Sequence, residues 1–259
     1  LDYLATLSGR PNTIATYTSI YKKWIEPRVK NGVKESDIHS LMVDLKLAGL
    51  APRTQKIVAR VFKDYLTKVD LPTINVKKEI RCIERFELPG IPKALTRGEA
   101  EAVIKVCPPS FLPVLLLGLH AGLRRGEVFG LSWEDVNLDR KSLLIKRSYD
   151  GPTKSGRPRT LPISPALDKS LRALYSSGAG RGKLFKPFNP NPKLKKLCSR
   201  AKVKEVNFHC LRHTFVTLAL ESGVSPRVVQ DLAGHQSLST TLDIYWSKIN
   251  QSVDLGFLP

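Results

Sequence analysis

Phe111-Leu-Pro-Val-Leu-Leu-Leu-Gly-Leu119, continued by His120-Ala-Gly-Leu-Arg-Arg-Gly-Glu127, is the stretch on which the fold turns. Phe111 to Leu119 is the longest apolar run of the chain. It is far shorter than the roughly 18 residues a membrane span needs, and it suits a helix buried in the core of a soluble protein. Gly122 then predicts a tight turn after that helix. Arg124 follows the turn, so a guanidinium emerges from a buried scaffold.

Upstream, Thr96-Arg-Gly-Glu99 is a capping box that opens another helix. Residues 71–93 lose all periodicity, with Pro72, Pro89 and Pro92 among many Lys and Arg, and read as a linker. Three amphipathic helices are predicted before it. Thr13 to Ile25 carries Ile14, Tyr17, Ile20, Tyr21 and Trp24 on one face, with Asn12 or Thr13 as its cap. Ser36 to Leu47 carries Ile38, Leu41 and Leu45, and Arg53 to Val69 carries Ile57, Val61, Tyr65 and Val69. The other face of the last helix bears Arg53, Lys56, Arg60 and Lys63. That stripe reads equally well as a solvated face or as one turned to phosphate.

Downstream, Ser142–Tyr149 and Arg159–Ile163 predict two short strands joined by a turn-rich connector with a basic tip. Ala166–Tyr175, Phe208–Ser222, Pro226–Ala233 and Thr240–Lys248 read as helices. The expected fold is mainly α with a small β-sheet, in two domains, residues 1–70 and 94–259, with 71–93 between them.

The 259 residues carry 42 Lys and Arg against 23 Asp and Glu, a formal charge of +19. Such an excess favours a polyanionic partner, because each neutralised phosphate releases condensed counterions. No basic amphipathic anchor or secretory signal is evident, so no membrane partner is expected. The four cysteines, Cys82, Cys107, Cys198 and Cys210, show no paired metal spacing. They read as free thiols in a reducing compartment. His209 and His213 stand at i and i+4, but no third ligand accompanies them, and no metal is expected. The chain opens on Leu1 rather than Met, which leaves room for further sequence ahead of it, a DNA-binding domain included.

Four stretches carry the chemistry: Ala121-Gly-Leu-Arg-Arg-Gly-Glu127, Thr153-Lys-Ser-Gly-Arg157, His209-Cys-Leu-Arg-His213, and Gly234-His235 followed by Tyr245. In this order and rough spacing, over residues 95–250, they resemble the tyrosine recombinase and phage-type integrase family. The helical first third is similar, less specifically, to that family's core-binding domain.

The resemblance implies a site-specific recombinase that cleaves and rejoins DNA through a 3′-phosphotyrosyl intermediate, with neither ATP nor metal. Tyr245 would be the nucleophile and Arg124 and Arg212 the clamp on the phosphate. Lys154 would be the general acid. His209 would help accept the tyrosine proton or hold the phosphate, and His235 would donate to a non-bridging oxygen. Glu127 would orient Arg124 or His209, and His213 reads as structural. Arg53, Lys56, Arg60, Arg157 and Arg159 are candidate DNA contacts. The family further implies a C-shaped two-domain clamp on double-stranded DNA. It also implies a homotetramer on paired sites that is a monomer or weak oligomer without DNA, possible DNA-bending accessory proteins, and a cytoplasmic, nucleoid-associated location. A type IB topoisomerase and a silent DNA-binding relative are the alternative readings.

Overall fold

The structure is a computed structural model that describes residues 2–9, 11–30, 33, 37–71, 76–78, 94–153 and 157–249, with the side chains of residues 179 and 245–249 left aside. The chain falls into two compact units, Leu1–Gly90 and Ile91–Pro259. Each has its own apolar core.

In the first unit a 3-10 turn, Tyr3–Thr6, precedes α1 (Pro11–Ile20), which runs through a π turn at Tyr21–Ile25 into α2 (Glu26–Val29). The helix starts at Pro11, ahead of the expected Asn12 or Thr13 cap. Two helices follow, α3 (Asp37–Leu47) and α4 (Pro52–Lys68). On α3, Ile38, Leu41 and Leu45 are buried as their spacing requires, joined by Met42. On α4 the buried face is Val58, Ala59, Val61, Phe62, Tyr65 and Leu66. Tyr3 is fully buried, with its ring centroid 4.7 Å from that of Tyr21 and edge-on to Tyr65 at 5.6 Å. Val76 is buried in this same core, and residues 76–78 are helical. The first unit therefore reaches into the stretch read as a linker. The rest of that stretch, 72–75 and 79–93, lies outside the described residues.

The second unit is mostly helical with two small sheets. Its elements are α5 (Arg97–Lys105), α6 (Leu112–Leu119), α7 (Arg125–Gly130), β1 (Val136–Asn137), β2 (Ser142–Ile145), β3 (Arg147–Ser148), β4 (Gly151–Pro152), β5 (Arg159–Pro162), α8 (Pro165–Leu174), α9 (Asn191–Arg200), α10 (Phe208–Glu221), α11 (Pro226–Ala233) and α12 (Leu238–Ile249). One antiparallel sheet has the order β1-β2-β5, and β3 and β4 form a separate hairpin.

Helix α6 is buried at every position from Pro113 to Leu119. It packs so closely on α10 that a Cβ at Gly118 would stand 2.9 Å from Leu211 Cδ1. The Thr96 capping box forms: Glu99 N–H donates to Thr96 Oγ1 at 3.3 Å, and Thr96 N–H donates to Glu99 Oε2 at 2.7 Å.

The strand expected over 142–149 is broken at Lys146. Lys146 Nζ reaches the Asp135 carboxylate at 2.7 Å, and Arg147 pairs with Glu134 and Asp135. These ion pairs turn the chain out of the first sheet into the second hairpin. Among the described residues no helix is long and apolar enough to cross a membrane.

Candidate active site

The scaffold of α6 ends where Gly122 takes a left-handed φ of +61° and Leu123 N–H donates back to the Leu117 carbonyl at 3.1 Å. A Cβ on Gly122 would meet the Phe215 ring at 2.4 Å, so both the backbone angle and the space require glycine. Its carbonyl accepts from Arg212 Nη1 at 2.8 Å. The same turn therefore serves two arginines: it leads the chain to Arg124 and anchors Arg212.

Arg124 stands at the N-cap of α7. Glu127, three residues on, is 2% exposed. Its Oε2 accepts from Arg124 N–H at 3.0 Å and its Oε1 from Arg124 Nη1 at 2.9 Å. Arg124 Nη2 donates to the Gly234 carbonyl at 3.0 Å. Glu127 thus holds both the backbone N–H and the guanidinium of Arg124.

Arg159, expected on DNA, directs three of its five N–H donors into the protein. Nη1 and Nη2 fork onto Glu127 at 3.2 and 2.9 Å, and Nε donates to the Leu232 carbonyl at 2.9 Å. Burial alone would raise the Glu127 pKa. The Arg159 fork and Arg124 outweigh it and hold the carboxyl below the usual range.

Arg212 lies on α10 at 1% exposure. Burial, then the charge of Arg124, pushes its pKa down to about 9, so it remains a cation at neutral pH. Its Nη2 is buried with no hydrogen-bond partner among the described residues.

His235 follows the left-handed Gly234 that ends α11, and its Nδ1 lies 2.8 Å from Thr241 Oγ1. Burial, then Arg212 and Arg124, push it down to about 3, so the ring is neutral at physiological pH. Thr241 is fully buried on α12, and Tyr245 stands one turn further along that helix. Nothing is described of the Tyr245 side chain.

His209 sits exposed in the first turn of α10, edge-on to His213 with ring centroids 4.6 Å apart. His213 is half-buried, and its pKa is lowered by burial and Arg212. Arg124, Glu127, Arg159, Arg212 and His235 therefore form one electrostatic neighbourhood beside the two other histidines. An open cleft of about 640 Å³ runs past it, lined by Arg157, Arg159, Arg227, Gly234 and His235 among others.

Lys154 lies outside the described residues. Arg53 and Arg60 are exposed and Lys56 half-exposed on α4 of the other unit. The sequence reading missed the inward role of Arg159. A signal was available, because Leu161 and Ile163 alternate with it and are buried, which puts Arg159 on the core side of its strand.

The fold is shared with solved integrases. The structure matches a Tn1549 transposon integrase in complex with transposon right-end DNA, with a TM-score of 0.74 at 18% identity over 93% of this chain and 91% of that one. It matches a lambda integrase dimer bound to a COC′ core site with a TM-score of 0.71 at 17% identity over 97% of this chain and 76% of that one. The class whose name the curated relatives carry is the tyrosine recombinases.

The chain belongs to the phage integrase family, which it matches over residues 93–251. Its relatives include the tyrosine recombinase XerA of Thermococcus kodakarensis, 29% identical over 92% of this chain and 86% of that protein. The tyrosine recombinase XerD of Halalkalibacterium halodurans is 28% identical over 89% and 85%.

Proposed function

We propose that this chain is a site-specific DNA recombinase that cuts and rejoins strands through a 3′-phosphotyrosyl ester on Tyr245. The observation that carries the reading is the convergence of Arg124 and Arg212, each mounted on a buried support, with Arg212 Nη2 buried and unpartnered among the described residues. Three guanidiniums, Arg124, Arg159 and Arg212, against the one carboxylate of Glu127 leave two positive charges (3 − 1). A phosphodiester carries one negative charge on its non-bridging oxygens, and the phosphorane-like transition state carries two. The cluster therefore favours the transition state over the ground state.

The Tyr245 hydroxyl attacks phosphorus, the bond to the 5′ oxygen breaks, and Lys154 gives that oxygen its proton. The tyrosine proton passes to His209 or, where His209 holds the phosphate instead, to water. In the tautomer whose Nδ1 accepts from the Thr241 hydroxyl, neutral His235 carries its proton on Nε2 for a non-bridging oxygen. The 5′-hydroxyl of a partner duplex then attacks the ester and expels Tyr245. Each step makes one phosphoester bond as it breaks another, so the reaction needs no nucleotide.

The helical unit and the catalytic unit would close on duplex DNA from opposite faces, with Arg53, Lys56, Arg60 and Arg157 on its backbone. Four copies would act on two sites, with DNA-bending proteins as possible accessories.

Covalent capture tests the reading. The chain is incubated with target DNA nicked so that the freed strand diffuses away, beside Tyr245→Phe, and denatured in detergent. A DNA-shifted band for the unsubstituted protein alone is expected. No band on DNA that is bound leaves a silent DNA binder. Relaxation of a single plasmid without exchange between paired sites would replace recombinase with topoisomerase.

A further inference from the structure

We infer that Arg159 is a positioning residue for strand transfer, acting through Glu127 and the end of α11 on the Arg124 guanidinium; the inference rests on the strand-transfer reading above. A carboxylate offers about four acceptor directions, two per oxygen. Glu127 Oε1 takes Arg124 Nη1 at 2.9 Å and Arg159 Nη1 at 3.2 Å. Its Oε2 takes Arg124 N–H at 3.0 Å and Arg159 Nη2 at 2.9 Å. All four directions are filled, half of them by Arg159.

A third Arg159 donor, Nε, fixes the Leu232 carbonyl at the end of α11. Two residues on, the Gly234 carbonyl receives Arg124 Nη2. A Cβ at Gly234 would stand 2.8 Å from Arg159 Nη1, so the helix end and this guanidinium are in direct packing contact. The carboxylate and the helix end that hold the Arg124 guanidinium are thus the two groups that Arg159 holds.

Depth separates the two roles. The Arg159 side chain is 10% exposed, against 23% for Arg124. In the sheet register Arg159 pairs with Ile145, itself 1% exposed. Arg159 edges the cleft as well, but its three assigned donors go to the supports of Arg124. Lysine cannot substitute, because an ammonium is a point charge without the fork that fills both oxygens and reaches Leu232.

The test uses the full chain on the nicked DNA described above. At saturating DNA, Arg159→Lys should slow formation of the covalent complex ten- to a hundredfold. Its DNA affinity, and the slope of that affinity with salt, should match the unsubstituted protein. The double variant Glu127→Gln, Arg159→Lys should be no slower than Glu127→Gln alone, since both changes cut one chain of action. On DNA whose scissile phosphate bears a methyl in place of one non-bridging oxygen, less is asked of the clamp, and the Arg159→Lys defect should shrink severalfold.

Four outcomes overturn the inference: an undiminished rate; weaker binding with the salt slope reduced by about one, the mark of a direct phosphate contact; multiplicative losses in the double variant; or an equal defect on both DNAs, the mark of a merely loosened fold. Arg159→Met repeats the series without the cation, and its melting temperature shows whether it folds. No capture by the unsubstituted protein, on DNA it binds, overturns the strand-transfer reading and this inference with it.

Discussion

Arg212 holds a charge where charge is costly, at 1% exposure beside another guanidinium. Arginine survives this because it starts so high: a fall to about 9 still leaves it protonated at pH 7. Lysine starts roughly two units lower, so the same surroundings would bring it close to neutrality. Arg212→Lys is therefore expected to lower the rate of covalent capture by about 10²–10³-fold at pH 8. The defect should ease as the pH falls to 6 and the amine gains its proton. A defect independent of pH would refute the titration argument. The histidines make a second pH prediction. His235, His213 and His120 are all held below the ordinary 6.5, each first by burial. The unfolded chain thus binds more protons than the folded one below about pH 6.5. The stability they contribute is complete above that pH and is lost as the pH falls toward their folded values, about 3 for His235. Melting temperature should drop between pH 7.5 and 5, and His235→Gln should flatten the drop; an unchanged slope in that variant refutes the assignment. At this scale Arg124, Arg212 and His235 were legible as short motifs. The internal ion pair of Arg159 was not legible, because a basic residue beside a basic loop looks solvated until its strand register is taken into account.

At the scale of elements, the site depends on α7 lying against β3. Gly126 and Gly130 make the approach possible. A Cβ at Gly130 would lie 2.7 Å from the Ser148 carbonyl carbon and 2.9 Å from the Arg147 oxygen, both of them backbone atoms that cannot step aside. Gly130→Ala should therefore cost about 1–3 kcal/mol in thermal melts. It should also slow capture in the fraction that folds, since the first turn of α7 is built on Arg124 and Glu127. Gly98→Ala in α5 is the control. Nothing lies within 4 Å of a Cβ there, so it should be neutral or gain up to about 1 kcal/mol. Equal effects of the two changes would refute the packing argument. The long helices were legible because their apolar residues recur with the helical period. The helix α9 was not, since Leu194, Leu197 and Cys198 are its buried residues among prolines and lysines. Nor was the break at Lys146, which is set by Asp135, eleven residues earlier in the chain and visible only as a contact.

At the scale of the whole molecule, the two units differ in what they can contribute to DNA binding. Each buries its own core, so residues 91–259 are expected to fold alone and melt in one cooperative transition. The cluster of Arg124, Glu127, Arg159, Arg212 and His235 lies within that unit, and its phosphate affinity should survive the cut. The basic stripe of α4 lies in the other unit. On its buried side Gln55, Val58, Phe62 and Tyr65 hold the helix by packing, so Arg53 and Arg60, both exposed, can be replaced without touching the core. If they meet phosphate, each neutralises roughly one charge. Arg53→Ala with Arg60→Ala should then reduce the slope of log affinity against log salt by about two. The rate of covalent capture at saturating DNA should not change if the stripe serves only to hold the DNA backbone. A slope that stays the same would assign the stripe to solvent and leave the charge of +19 to be accounted for by the catalytic unit and the stretch between the units. A slope that falls together with the saturated rate would mean that the first unit also sets the geometry of the scissile phosphate, and that grip and chemistry are coupled across the chain.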